Sequence, residues 1–149
     1  MQRVALQLPD LPFPGRGAIA NGLPRLNGKT LLAGGEVYDP GPDSRLFYNS
    51  VFTYDDTRWR RIKANASFPA LGYHNLVALG SRYFVLKGYP TENSKRIHSA
   101  DSTGACFRPE RAVAGSADHA ASAASALDGG YIIITGSTTS PAVTRIRAP

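Results

Sequence analysis

The chain lacks most of the features by which a function is read directly. It has one cysteine, Cys106, so no disulfide forms within it. No apolar run approaches the roughly 18 residues of a membrane span. No G-x-G-x-x-G or Walker pattern opens a helix, which excludes the usual phosphate-cradling loop. The 3 histidines and the cysteine lie far apart, without zinc-ligand spacing, and no nucleophile-elbow sequence frames a serine. No cofactor or metal is implied.

Concentrated charge is also scarce. The net charge is +6, from 17 Lys and Arg against 11 Asp and Glu. The basic residues are spread evenly along the chain. The one dense run is RWRRIK at 58–63. Alternate strand residues face opposite sides, so a strand there divides its charge between two faces. Nucleic acid is therefore a disfavoured partner.

What is present is a globular balance, with 42% apolar and 19% charged residues. The 15 Gly and 11 Pro suit many short strands joined by turns. Long helices are disfavoured, since each Gly costs them about 1 kcal/mol and each Pro about 3. The opening MQRVALQLPDLP has no apolar core of the kind that marks a secretory signal. The expectation is a soluble, cytoplasmic protein, or a secreted or periplasmic one if a signal has been removed.

An internal repeat organises the rest. GKTLLAGG (28–35), SRYFVLKG (81–88) and GGYIIITG (129–136) each run from a turn through an apolar β-rich segment to a glycine. Gly35, Gly88 and Gly136 are 53 and 48 residues apart. A further strand candidate follows each segment, at 49–56, 93–101 and 141–147. The first intervening loop, 36–48, is the longest and holds Pro40, Gly41 and Pro42, as an exposed insertion does. A fourth strand is expected at 58–62 in the first unit and around 105–109 in the second.

The third unit stops short of a fourth strand. The opening QRVALQLPDLPFPGRG aligns with RWRRIKANASFPALGY, so residues 2–6 read as a fourth strand lacking its own first three. The fold class expected is all-β. It is a β-propeller of about three four-stranded blades, at about 15–62, 70–109 and 116–149, in which strand 2–6 completes the last blade within the chain or across a dimer. Propellers have 4–8 blades, so ring closure calls for a homo-oligomer, three blades plus three, or a complementing chain.

The first unit resembles a kelch repeat, through Gly34-Gly35, Tyr54-Asp55, Trp59, Pro69 and His74. The second and third copies depart from it, with Lys87-Gly88 and Thr135-Gly136 where the glycine pair stands. LPDLPFP followed by the AGG strand is similar to bacterial six-bladed kelch proteins of the sialic-acid epimerase and mutarotase-like group. That resemblance implies a sugar-handling propeller. It transfers no catalytic residue, and none is assigned.

In such blades the fourth-to-first and second-to-third loops share a face, and loops carry function. The ligand-binding candidates there are Arg16, Glu36, Tyr38, Tyr73, His74, Tyr89, Asp118 and His119. Arg offers a forked donor to carboxylates, His exchanges a proton near neutral pH, and Tyr supplies a stacking face. The plainer reading gives His74 and His119 backbone bonds between blades and makes Asp118 a turn cap. DSTG at 101–104 matches the aspartic-protease triplet, but it occurs once and falls at a predicted turn. The expected function is a binding module for a protein segment or a carbohydrate at the channel mouth. The alternatives are an epimerase or mutarotase-like enzyme and a structural fragment of a larger assembly.

Overall fold

Tight turns at fixed places cut this chain into short antiparallel strands. The computed structural model describes residues 11–17, 19, 22–38, 45–86, 88–90, 96–112, 123–135, 141 and 143–147. Among them there is no helix, and so none long and apolar enough to cross a membrane. Asn27 and Gly28, both at positive φ (49° and 74°), join β1 (Arg25–Leu26) to β2 (Lys29–Ala33). An Asn-Gly pair is the preferred two-residue hairpin because both positions need left-handed backbone. Gly80, at φ 59°, and Ser81 join β7 (Asn75–Leu79) to β8 (Arg82–Leu86). Asp128, Gly129 and Gly130 turn β11 (Ala123–Leu127) into β12 (Tyr131–Thr135).

Third and fourth strands are joined by a second device. In the first sheet, Asp55 links β5 (Val51–Tyr54) to β6 (Trp59–Lys63), its Oδ1 accepting from Thr57 N at 3.2 Å and Arg58 N at 3.0 Å. In the second, Asp101 ends β9 (Arg96–Asp101) and accepts from Thr103 N at 2.9 Å, after which Gly104 (φ 69°) leads towards β10 (Arg108–Ala112). These Asp-x-Thr turns hold both carboxyls below their usual pKa, chiefly through the threonine hydroxyls. The DSTG segment is thus a structural turn.

Three meanders result. The first is ordered β1-β2-β5-β6, the second β7-β8-β9-β10, and the third β11-β12-β13, with β13 at Val143–Arg147. All pairings between these strands are antiparallel, and none of the sheets closes. Residues 36–48 contain a hairpin of β3 (Glu36–Tyr38) and β4 (Arg45–Phe47), where an irregular loop was expected. The second unit's fourth strand begins at Arg108, later than expected. The Asp101 turn and the buried Phe107 occupy the intervening residues, so the exposed Cys106 lies between strands. In β6 the register shifts opposite Val51 and Phe52, and Arg60, Arg61 and Lys63 are all exposed. Charge gathered on an edge strand discourages pairing with another chain. The expected strand at 2–6 lies outside the described residues.

The second sheet is buried on both faces. Leu76, Tyr83 and Val85 pack with Leu31, Ala33 and Val51 of the first sheet, together with Phe68, Leu71 and Phe107. Val77, Phe84, Leu86 and Ile97 pack with Ile132 and Ile134 of the third. This explains its continuous apolar runs, whereas the third sheet alternates along each strand. Each large side chain so buried contributes about 1.5–3 kcal/mol.

Tyr83 locks the first two sheets together. Its ring is fully buried, and its hydroxyl donates to Lys29 O at 2.9 Å. Replacing Tyr83 with Phe keeps the ring and strands that carbonyl, at an expected cost of about 1–2 kcal/mol. Urea unfolding measures it; an unchanged midpoint would show that the hydroxyl ties nothing.

Candidate functional site

The loops at one end of the first two sheets cross at distances that only glycine permits. Gly35 N donates to Leu71 O at 2.9 Å, and Leu71 N to Tyr48 O at 3.1 Å. Gly17 pairs with Glu36, and Gly72 pairs with Tyr89. These two bridges occupy corresponding places in successive units, each joining the approach to the first strand to the residues just after the second. A Cβ on Gly34 would lie 2.8 Å from the His74 ring, and one on Gly88 would lie 2.5 Å from Gly72 O. The Gly34-Gly35 pair and Gly88 therefore serve backbone and ring contact.

His74 fills the space these glycines leave. It is fully buried, and its Nε2 donates to Ala33 O at 2.7 Å, which fixes the neutral tautomer. Burial pushes its pKa down to about 4, against an opposing pull from the Ala33 and Leu71 carbonyls. Ile19 forms a parallel bridge with it, joining the approaches to the first strands of the two sheets.

Arg16 is also drawn inward. Its guanidinium stacks 4.0 Å from the Tyr48 ring centroid and 5.2 Å from those of Phe13 and Phe52. Nη1 donates to Ser50 Oγ at 2.8 Å and to Gly34 O at 3.3 Å. Burial lowers its pKa, yet a guanidinium stays charged near neutral pH.

Glu36, Arg45, Phe47 and Tyr89 gather at one place, with Tyr73 next to it in the chain segment that follows Gly72. Glu36, itself buried, ion-pairs through Oε1 with Arg45 Nε at 3.5 Å. Its Oε2 presses against Gly72, where a Cβ would come within 2.7 Å, and has no hydrogen-bond partner among the described residues. The Arg45 guanidinium lies 5.9 Å from the ring of Tyr89, and Phe47 lies 5.7 Å from the same ring. Tyr89 is exposed. Tyr73, also exposed, follows Gly72 with a left-handed backbone (φ 51°).

Of the sequence candidates, Glu36 and Tyr89 thus meet through Arg45, and Tyr73 is exposed next to the Gly72–Tyr89 bridge, while Arg16 and His74 turn into the protein. The backbone of Tyr38 pairs with Arg45. Asp118 and His119 lie outside the described residues. Arg45 and Phe47 were not anticipated, because they stand in the hairpin that the sequence reading left without structure. Their one signal is position, facing Tyr38 and Glu36 across a short loop.

His74 should make the fold acid-sensitive. Its folded pKa, about 4, lies below the ordinary 6.5, so the unfolded chain binds the proton more tightly. The contribution is complete above pH 6.5 and is lost as the pH falls towards 4, on the order of 3 kcal/mol in all. His74→Gln, which keeps an N–H donor, should flatten stability against pH across that window. Parallel curves for the two proteins would show that His74 is not the group responsible.

Neither a scan against protein-family models nor a search of the curated proteins finds a match to this chain.

Proposed function

We propose that the three sheets are consecutive blades of a kelch-type β-propeller. In this reading the chain is a binding module, and a glycan or short protein segment docks on the loop face at Tyr73, Tyr89 and Arg45. One observation carries the proposal. Residues 23–25, 76–78 and 124–126, at the first strands of all three sheets, line a single groove of about 330 Å³. The second sheet lies between the other two. Flat packing at about 10 Å per layer would hold the outer pair about 20 Å apart. A groove shared by all three first strands fits sheets that splay from a common axis, as blades do. The matched bridges Gly17–Glu36 and Gly72–Tyr89 support the same repeat.

The loop face suits binding better than acid–base catalysis. His74 is sealed from solvent and spends its donor on Ala33. Glu36 is buried and ion-paired to Arg45. The solvent-facing groups are two phenol rings and a guanidinium, which stack on and fork towards a ligand.

Oligosaccharide and peptide arrays test this directly. A ligand found on them should bind saturably, and roughly tenfold more weakly to Tyr89→Ala and Tyr73→Asn, with melting unchanged. Asn is chosen at 73 because it tolerates the left-handed backbone. Full affinity in both variants would remove the ligand from this face.

A further inference from the structure

The repeat exposes a second site by what differs between its copies. Leu32 pairs with Phe52 in the first sheet, and Val85 pairs with His98 in the second. Phe52 and His98 are therefore equivalent, as are their neighbours Ser50 and Arg96. The approach segments match too, Phe13-Pro14 with Phe68-Pro69, and Arg16 with Leu71.

In the first sheet the space beside Phe13, Ser50 and Phe52 is filled from within. The Arg16 guanidinium lies over both phenyl rings and bonds Ser50 Oγ. In the second sheet the residue matching Arg16 is Leu71, which packs into the core instead. The matching space is a cavity of about 460 Å³, lined by Asn49, residues 66–69, Arg96 and His98. That is within the size range of small-molecule sites.

The change in lining is chemical as well as spatial. The fold needs only a ring at this strand position, as Phe52 shows by stacking on Phe13 at 3.9 Å. His98 supplies the ring, 6.3 Å from Phe68, and adds nitrogens that packing does not require. It is 6% exposed, and its Nδ1 has no hydrogen-bond partner among the described residues. Arg96, exposed, brings a cation where the first sheet has Ser50. Burial, with the Arg96 charge beside it, holds the His98 imidazole below its ordinary pKa against the opposing pull of the Arg96 backbone and Glu110, and Glu110 is itself held by Arg82 at 2.7 Å. One copy of the site is thus filled by a cation of the chain, and the other is open, with the Arg96 guanidinium and the His98 ring on a wall otherwise formed by Asn49 and residues 66–69.

We propose that the cavity between the first and second sheets binds a compact oxyanion, a phosphate or carboxylate group, through Arg96 and His98. The site is separate from the Tyr73–Tyr89 surface and stands whether or not that surface binds a ligand.

The test titrates inorganic phosphate, and in parallel acetate, into ¹⁵N-labelled protein at constant ionic strength. Arg96 and His98 signals should shift saturably with at least one anion, and which of the two saturates names the class. Arg96→Ser and His98→Phe each import the first sheet's residue and so should fold. Arg96→Ser should weaken binding roughly tenfold or more, and His98→Phe should weaken it measurably. Linear shifts with both anions, saturation that survives both variants, or saturation confined to residues 58–63 would each overturn the proposal. Failure of either variant to fold would break the equivalence of the two strands, and the proposal with it.

Discussion

The contact between the His74 imidazole and the Ala33 carbonyl is the constraint on which the loop face depends. It lies where the end of β2 meets the segment entering β7, so it joins the first sheet to the second. For the ring to reach that carbonyl, Gly34 must have no side chain, and for the next crossing Gly88 must have none either. The imidazole must also stay neutral, since burial resists its charged form. Stability, loop geometry and acid sensitivity therefore meet in one buried ring. The exposed Tyr89 and Arg45 and the buried Glu36 are held in place by the same crossing, because Gly72 joins Tyr89 on one side and abuts Glu36 on the other.

Much of the all-β architecture was legible because its signals are local. Apolar runs ending in glycine mark β2, β8 and β12, and the 53- and 48-residue spacings mark the recurrence. What escaped the sequence was set by longer-range or subtler causes. The β3–β4 hairpin has only three residues in each strand, too few for alternation to show. The start of β10 was misplaced because residues 105–107, which follow the anticipated turn at Asp101–Gly104, read as strand. Aligning Asp101 with Asp55 sets His98 equivalent to Phe52 but still places the fourth strand at 105, because three residues before Arg108 have no counterpart in the first sheet.

The candidate site was legible in part, for a related reason. Residue type marks Glu36, Tyr73 and Tyr89 as able to meet a ligand. It does not reveal that His74 and Arg16 face inward. Chemically versatile groups near a repeat junction serve packing as readily as binding, and burial decides between these uses. Arg16 does in the first sheet what Leu71 does in the second only in name, for one fills an aromatic slot and the other a core. Divergence between copies of a structural unit is where the fold's own demands can be subtracted. What remains at Arg96 and His98 is chemistry that the scaffold does not need.

The splayed, blade-like arrangement of the three sheets is the central claim, and electron–electron distance measurement tests it most directly. Spin labels at Arg25 and Ser125, on a Cys106→Ser background, report the separation of first strands across the groove. Labels at Arg60 and Arg147 report the outer strands of the same two sheets. The account predicts a markedly shorter distance for the inner pair than for the outer pair. Equal distances would mean that the sheets stack flat, and the propeller reading would be wrong.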